Sequence, residues 1–173
     1  GKPQYKYAKK LGFENSKIYD GLYTCDEDLF NNESLNKKVN SNSKIFLFVG
    51  RYIKEKGLPE LWETFLKLNS EIDEKWQLWC IGTGNLWKDR VMDVNIKHFG
   101  FIQPRDLPDI ISECDVYILP SKFEPWAVSL HEMTSFGKAV LVSENVGSSY
   151  CFVKNNINGF IFSFNETDDF INK

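Results

Sequence analysis

Short apolar runs recur along the chain, and most of them end at a glycine or proline before a segment with helical periodicity. The runs span 45–49, 77–81, 115–119 and 139–142, a shorter one spans 160–162, and the mixed segment 96–99, which ends at Gly100, is predicted as a further strand. Runs of this length without polar alternation are typical of strands that are buried on both faces. Because such strands alternate with helices, the pattern predicts an α/β fold with a doubly wound, mostly parallel, Rossmann-like sheet.

Helical segments are indicated by apolar spacing and by their end signals. Pro59 suits the first turn of a helix that follows the first strand. The segment 126–136 predicts a helix that is stopped by Gly137. A short helix is predicted over 5–11, and residues 167–173 predict the start of another.

The length of the chain limits its domain organisation. With 173 residues, 42% of them hydrophobic, it can bury one well-packed core but not two full domains. Residues 1–43, which end in a stretch rich in Asn and Ser, predict a connector and linker from a missing amino-terminal domain. Residues 44–173 predict one Rossmann-like domain that is truncated at its carboxyl end.

Charge and cysteine usage exclude several classes of protein. The net charge of −3 and the scattered lysines argue against a nucleic-acid surface, and no apolar run approaches the ~18 residues of a membrane span. No C-x-x-C pair occurs, and Cys80 and Cys114 fall in apolar patterns that predict burial. We therefore expect a reducing, cytoplasmic compartment. No metal-ligand spacing surrounds His98 or His131.

Two acids, Glu124 and Glu132, flank the predicted start of the helix after the fourth strand. Glu124 should lie in the loop at the carboxyl end of that strand, and Glu132 about two turns into the helix. Eight helical positions span at most ~12 Å, and a helix amino terminus with free N–H groups would lie between the two acids. This layout suits a ligand with two hydroxyl-bearing ends and a charged middle, such as a sugar nucleotide.

Two cations, Arg51 and Lys56, follow the first strand in a loop that begins and ends with glycine. Arg offers a bidentate fork and Lys a point charge, so both could reach one diphosphate. Ligands of such sheets bind at the carboxyl ends of the strands, where this loop and the Glu124 loop would meet. Taken alone, the pair is equally compatible with two solvated loop cations.

Taken together, these motifs resemble the retaining glycosyltransferases of family 4, which have the GT-B fold. The matching segments are FVGRYIKEKGLPELWETF (48–65), CIGTG (80–84), HFGFI (98–102), DVYILPSKFEPWAVSLHEM (115–133), GKAVLVSENVG (137–147) and NGFIF (158–162). They run in the family's order and cover residues 44 to 163. The resemblance implies the carboxyl-terminal, donor-binding half of a GT-B enzyme.

The resemblance also assigns the catalytic roles. Arg51 and Lys56 match the pair that binds the donor diphosphate and stabilises the charge that develops as the nucleotide leaves. This implies a metal-independent reaction without a cofactor, in which the nucleoside-diphosphate sugar is the donor and a UDP- or GDP-sugar is favoured. Glu124 matches the acid that binds hydroxyls of the donor sugar.

The remaining donor-binding positions follow from the same resemblance. Glu132 matches the acid that accepts hydrogen bonds from the ribose hydroxyls, and Phe101 and Ile102 match the position that contacts the base. Backbone N–H groups of residues 126–128, namely Trp126, Ala127 and Val128, would face the sugar and phosphates.

For the whole protein, the resemblance implies hexosyl transfer to an acceptor hydroxyl with retention, in bacterial cell-surface polysaccharide or glycan synthesis. The acceptor, a glycan or a lipid-linked glycan, would be bound through the missing amino-terminal domain, so this fragment alone is expected to be inactive. The sequence does not decide whether that domain would attach the protein to the inner face of the membrane. No nucleic-acid partner is implied.

Three positions depart from the family pattern. The family usually has glycine at Ala127, a second glycine after Gly147 where Ser148 stands here, and an acid near Cys151. An added methyl group at position 127 could narrow the sugar pocket or tilt the backbone.

Two alternatives remain at the level of sequence. One is a non-catalytic nucleotide-binding or signalling module with a flavodoxin-like sheet, and the other is a different GT-B enzyme such as a sugar-nucleotide epimerase. A signalling receiver needs an Asp that closes a central strand, whereas Asp115 opens its strand and Pro120 and Ser121 close it. No G-x(4)-G-K-[ST] motif of a P-loop is present.

Overall fold

The computed structural model describes residues 2–19, 23–30 and 43–164. Within them, six strands form one sheet in the order β3-β2-β1-β4-β5-β6, and every pairing is parallel. The strands are β1 Ile45–Val49, β2 Gln77–Ile81, β3 Ile96–Gly100, β4 Val116–Leu119, β5 Ala139–Ser143 and β6 Gly159–Phe162. The predicted doubly wound, Rossmann-like α/β fold is confirmed. The strand order differs from that of a flavodoxin-like sheet, in which β1 lies between β2 and β3.

Six helices accompany the sheet in the described residues. They are α1 Lys2–Lys10, α2 Glu27–Phe30, α3 Leu58–Glu71, α4 Leu107–Glu113, α5 Val128–Ser135 and α6 Ser149–Phe152. The predicted helix over 5–11 therefore begins earlier, at Lys2. The predicted helix over 167–173 and most of the predicted linker lie outside the described residues.

The prediction for α5 was wrong at its start and correct about its stop signal. The helix begins at Val128 rather than Trp126, because Ala127 has φ +75°, which is incompatible with a right-handed helix. At the other end, Gly137 has φ +79° and the N–H of Lys138 donates to the Met133 carbonyl at 3.0 Å. This is the glycine-terminated helix end that the sequence predicted.

The central strands are buried because helices cover both faces of the sheet. Leu47 and Phe48 of β1, Leu78 of β2 and Leu119 of β4 are essentially inaccessible to solvent. Continuous apolar strands are what a parallel sheet of this kind requires. Cys80 and Cys114 are buried as predicted, and all four cysteines are free.

The change of winding direction lies between β1 and β4, which are neighbours in the sheet. Their following chain segments leave on opposite sides, which opens a crevice at the carboxyl ends of these two strands. The loops of the crevice pack closely, since a Cβ atom on Gly57 would lie 2.0 Å from the Pro120 carbonyl oxygen. Gly57 also has φ +69°, so only glycine fits this position without strain.

Residues 23–30 pack against α5, although the predicted division at residue 43 stays a prediction. Phe30 and Cys25 are buried, and the Cys25 N–H donates to His131 Nδ1 at 3.3 Å. The His131 ring stacks on Phe152 with centroids 4.3 Å apart. His131 therefore attaches this segment to the sheet domain. In the ranges that the structure describes, no helix is both long and apolar enough to cross a membrane.

Candidate functional site

The loop after β1 presents Arg51 to solvent beside a residue that is anchored in the core. Tyr52 is fully buried, and its Oη lies 2.8 Å from His98 Nδ1. His98 Nε2 must donate to the Val91 carbonyl, 2.8 Å away, so Nδ1 accepts from the tyrosine. Burial lowers the pKa of His98, which favours this neutral form. The anchor fixes the backbone next to Arg51.

Lys56 joins this loop to the loop after β4. It ends a 3-10 turn, Lys54–Lys56, that stops at Gly57. Its ammonium forms an ion pair with Glu124 Oε2, and the two side chains are only 13% and 14% exposed. The other oxygen of Glu124 accepts from the Trp126 N–H at 3.4 Å. Both carboxylate oxygens of Glu124 therefore have partners.

The Glu124 loop is supported by the segment between β5 and α6. The Glu124 N–H donates to the Asn145 carbonyl at 3.3 Å, and the Gly147 N–H donates to the Glu124 carbonyl at 2.8 Å. A Cβ atom on Gly147 would lie 2.1 Å from the Pro125 carbonyl oxygen, so the two backbones are in direct contact. These contacts fix the backbone position from which the Glu124 side chain extends.

Ser148 forms two hydrogen bonds to the neighbouring loop. A glycine, which is usual at this position in the family that the sequence resembles, could form only the one from the backbone N–H. The Ser148 N–H donates to the Trp126 carbonyl at 3.2 Å, and its hydroxyl donates to the same carbonyl. Ser148 is fully buried and has φ −95°, so no glycine is needed there. The departure at this position therefore strengthens the link between the two loops.

Ala127 precedes α5 in a left-handed conformation, with φ +75° and ψ +87°. Such a conformation costs a non-glycine residue roughly 1–2 kcal/mol, which gives a physical reason for a glycine at this position. The methyl group has not tilted the backbone out of the left-handed region. The amides of Ala127, Val128 and Ser129 donate no hydrogen bond to the described part of the chain, so they can bind an anion.

Two adjoining clefts lie over this crevice. The larger, about 930 Å³, is lined by residues of the β1 loop, by Asn85 and Leu86, by 123–125 and by Ser129. The smaller, about 510 Å³, is lined by Gln4, Tyr23, Lys56 and residues 124–129. Arg51, Lys56 and Glu124 are thus brought to one cleft, and Trp126, Ala127 and Val128 line the next.

The other predicted site residues lie outside the linings of these clefts. Glu132 is half-buried on α5, one turn after Ser129, and burial raises its pKa. No hydrogen bond or ion pair to the described residues offsets that burial. Phe101 is 67% exposed, and Ile102 packs against the core. Both follow β3, which lies two strands away from β1 at the edge of the sheet.

A separate apolar groove of about 660 Å³ lies toward the amino ends of the central strands, and its lining includes Phe46, Val116 and Phe160. None of the predicted site residues lines it. Among residues 2–19, 23–30 and 43–164, no group of three or more His, Cys, Asp or Glu side chains could hold a metal ion.

A family model described as "Glycosyl transferases group 1" matches residues 30–173. The chain belongs to this family. A curated relative in the group is UDP-Gal:alpha-D-GlcNAc-diphosphoundecaprenol alpha-1,3-galactosyltransferase of Escherichia coli, which is 31% identical over 140 residues. That alignment covers 76% of this chain and 35% of the relative. A 41.2 kDa protein of unassigned function in the cps region of Klebsiella pneumoniae is 26% identical over 95% of this chain and 47% of its own length.

Solved structures show the same fold. The apo form of the lipopolysaccharide outer core galactosyltransferase WaaB superposes with a TM-score of 0.73 at 18% identity, over 97% of this chain and 48% of that one. HepE of Anabaena, in complex with UDP and glucose, gives 0.74 at 16% identity, over 99% of this chain and 50% of that one. This group 1 glycosyltransferase chain therefore spans about half the length of the proteins it matches, or less.

Several residues that line the clefts were not predicted as site residues. They include Lys54, Asn85, Phe123 and Ser129. Lys54 and Phe123 are neighbours of predicted positions, so the loop boundaries would have included them. Asn85 follows the Gly-Thr-Gly turn after β2, and only the sheet order brings that turn beside the β1 loop. Ser129 carries no signal in the sequence beyond its place in the first turn of α5.

Proposed function

We propose that this chain is the donor-binding half of a glycosyltransferase and holds a nucleoside-diphosphate sugar in the two clefts at the β1–β4 crevice. One observation carries the proposal, namely the ion pair of Lys56 and Glu124, which places a cation and an acid in the cleft of Arg51. Amides at the start of α5 that donate to none of the described residues border the same space. A diphosphate needs the cations and amides, and a sugar needs the acid.

Donor binding would redistribute the partners of this ion pair. The diphosphate takes Lys56 and Arg51, and Glu124 becomes free to accept hydrogen bonds from hydroxyls of the sugar. The same two cations stabilise the charge on the leaving diphosphate as the bond to the sugar breaks. Arg51, Lys56 and Glu124 are thus the proposed catalytic residues.

The ends of the donor would extend beyond the larger cleft. Glu132 is the proposed acceptor for the ribose hydroxyls, since its half-buried carboxylate has no partner in the described residues. Phe101 and Ile102 are the proposed contacts for the base at the end of β3. The amides of Ala127 and Val128 bind the phosphates, while the Trp126 amide is held by Glu124 until the donor arrives.

We propose UDP-hexose as the donor. The name of the E. coli relative specifies UDP-Gal as its donor, and solved complexes of HepE contain UDP, UDP with glucose, or UDP-glucose. In the proposed reaction the sugar's bond to the diphosphate oxygen breaks. A bond to the acceptor oxygen forms on the same face, with retention, and the departing diphosphate oxygen takes the acceptor's proton. No metal ion takes part in this scheme.

The proposed acceptor is a lipid-linked or cell-surface glycan on the cytoplasmic side of the membrane. Support comes from the diphosphoundecaprenol acceptor in the E. coli relative's name and from the lipopolysaccharide role in the WaaB title. The acceptor would be bound by a preceding domain, so the 173-residue chain is expected to bind donor but transfer no sugar. Measurable sugar transfer by this chain alone would contradict the assignment of donor binding and acceptor binding to two different domains.

Calorimetric titration with UDP, GDP and ADP, with and without Mg²⁺, tests the proposal. We expect metal-independent binding of UDP that is lost in Arg51→Ala/Lys56→Ala. The matched control is Arg105→Ala/Lys154→Ala, which removes two exposed cations outside both clefts and should bind as wild type does. Equal binding by the two double variants, or no binding by wild type at millimolar UDP, would contradict the proposed site.

A further inference from the structure

A buried hydrogen bond links the central sheet to the proposed phosphate site. Tyr117 of β4 is 1% exposed, and its Oη lies 2.7 Å from Ser129 Oγ. Ser129 lies in the first turn of α5 and lines both clefts. The bond therefore runs from the interior of the domain to the surface that would contact the donor.

Burial decides which hydroxyl donates. Ser129 is the one hydrogen-bond partner of Tyr117 Oη in the part of the chain that the structure describes. If Ser129 donated, the phenolic proton would be left without an acceptor inside the core, which is strongly unfavourable. Burial also raises the pKa of Tyr117, so the phenol keeps its proton near neutral pH. Tyr117 is consequently the donor and Ser129 Oγ the acceptor.

This direction leaves the Ser129 proton without a protein acceptor. Tyr117 occupies one lone pair of Ser129 Oγ, and no other described residue forms a hydrogen bond with that hydroxyl. A serine hydroxyl can otherwise donate or accept as its surroundings demand. Here it is held as a donor in a cleft that Lys56 and the residues at the start of α5 also line.

We propose that Tyr117 is a positioning residue that fixes the Ser129 hydroxyl as a hydrogen-bond donor to an oxygen of the donor diphosphate. Tyr117 itself touches no ligand and acts through Ser129. The inference rests on the proposed function, because it assigns the phosphate to the first turn of α5. It makes a prediction of its own, because removing the buried Tyr117 hydroxyl should weaken binding of the diphosphate without weakening binding of the nucleoside.

Calorimetry with UDP and an NMR titration with uridine test it in the 173-residue chain. We expect Ser129→Ala to weaken UDP binding about tenfold, as loss of a hydrogen bond to a charged group does. Tyr117→Phe should weaken it by about three- to tenfold, because the serine proton is then free to turn away. The double variant should bind no more weakly than Ser129→Ala. Ser129→Thr should retain binding, and uridine affinity should stay unchanged throughout.

Three results would overturn the inference, and they separate it from the proposed function. If Tyr117→Phe binds UDP as wild type does while Arg51→Ala does not, the proposed function stands and the role of Tyr117 is wrong. If Tyr117→Phe weakens uridine and UDP equally, the tyrosine acts only through packing. If wild-type protein does not bind UDP, the proposed function fails and this inference fails with it. Thermal unfolding of each variant shows that the comparison is made between folded proteins.

Discussion

The two acids of the site lie in contrasting surroundings. Glu124 is paired with Lys56, accepts from the Trp126 N–H, and starts from a backbone that is clamped by Gly147. Glu132 is half-buried on α5, has no partner among the described residues, and has a pKa that burial raises. The loop acid is satisfied by the folded chain, whereas the helix acid is held at a cost to stability. A half-buried acid that has no partner among the described residues, and whose charged form burial disfavours, is a candidate for binding a ligand.

The contrast extends to how the two positions are supported. The Glu124 loop depends on the segment between β5 and α6, more than twenty residues later in the chain, through Asn145, Gly147 and Ser148. Glu132 is carried by α5, a regular helix packed on the sheet. Changes to the contacts of the loop should therefore have the larger effects on stability, and changes at Glu132 should mainly affect binding.

Gly147→Ala should have the largest effect. The added Cβ would lie 2.1 Å from the Pro125 carbonyl oxygen, so the two loops must separate. We expect the free energy of unfolding to fall by about 2–3 kcal/mol in urea titrations, together with weaker UDP binding. Gly100→Ala is the control, because its Cβ meets nothing closer than Trp87 at 3.7 Å and adds only backbone strain at φ +75°. Equal losses in the two variants would contradict the clamp.

The Lys56–Glu124 pair should show strong coupling in a double-mutant cycle. Lys56→Met and Glu124→Gln each leave a largely buried charge without its partner. We expect each to cost about 1–2 kcal/mol and the double variant to cost clearly less than their sum. The pair of Lys122 and Glu60 is the control, since its side chains are 41% and 43% exposed and its coupling should stay below about 0.5 kcal/mol. Similar coupling in the two pairs would show that burial does not distinguish them.

Ala127→Gly should stabilise the protein by about 1 kcal/mol, because glycine adopts a positive φ without the steric cost that alanine bears. Thermal and urea unfolding measure the gain. Ala139→Gly is the control, since this residue lies in extended backbone of β5, where glycine lowers stability. A loss at both positions would mean that Ala127 is not strained.

Glu132→Gln should give a smaller gain in stability that depends on pH. A raised pKa in the folded state means that the folded protein binds this proton more tightly than the unfolded chain does. Its stabilising contribution is therefore complete below the unfolded pKa and is lost as pH rises through the folded pKa. The variant has no carboxylate to ionise, so its gain should be present at pH 7 and shrink toward pH 4.

Urea titrations at the two pH values measure that gain, and Glu71→Gln, at an exposed position on α3, controls for loss of surface charge. Of these two variants, only Glu132→Gln should bind UDP more weakly than the wild-type protein. A loss of stability at pH 7 would show that Glu132 has a structural partner after all.

Much of the fold could be predicted because its signals are local. The five segments predicted as strands that became β1 to β5 matched those strands to within one residue at either end, and Pro59 and Gly137 marked helix ends where the structure has them. The start of α5 was wrong because nothing in Trp126-Ala127 signals a positive φ, apart from the family's usual glycine. The spacing of Glu124 and Glu132 indicated that a helix terminus lies between them. It did not reveal that one acid would be paired and that the other would have no partner among the residues that the structure describes.

By itself the sequence determined the alternation of strands and helices, the burial of the central sheet, and the loops that carry Arg51, Lys56 and Glu124. These features follow from residue type and periodicity within a few positions. Only the tertiary structure decided the pairing of Lys56 with Glu124, the clamp of Gly147 on Pro125, and the bond from Tyr117 to Ser129. The first joins residues 68 positions apart and the second joins loops that follow different strands. Side-chain geometry set by the packing of α5 on β4 fixes the third, and no local pattern encodes it.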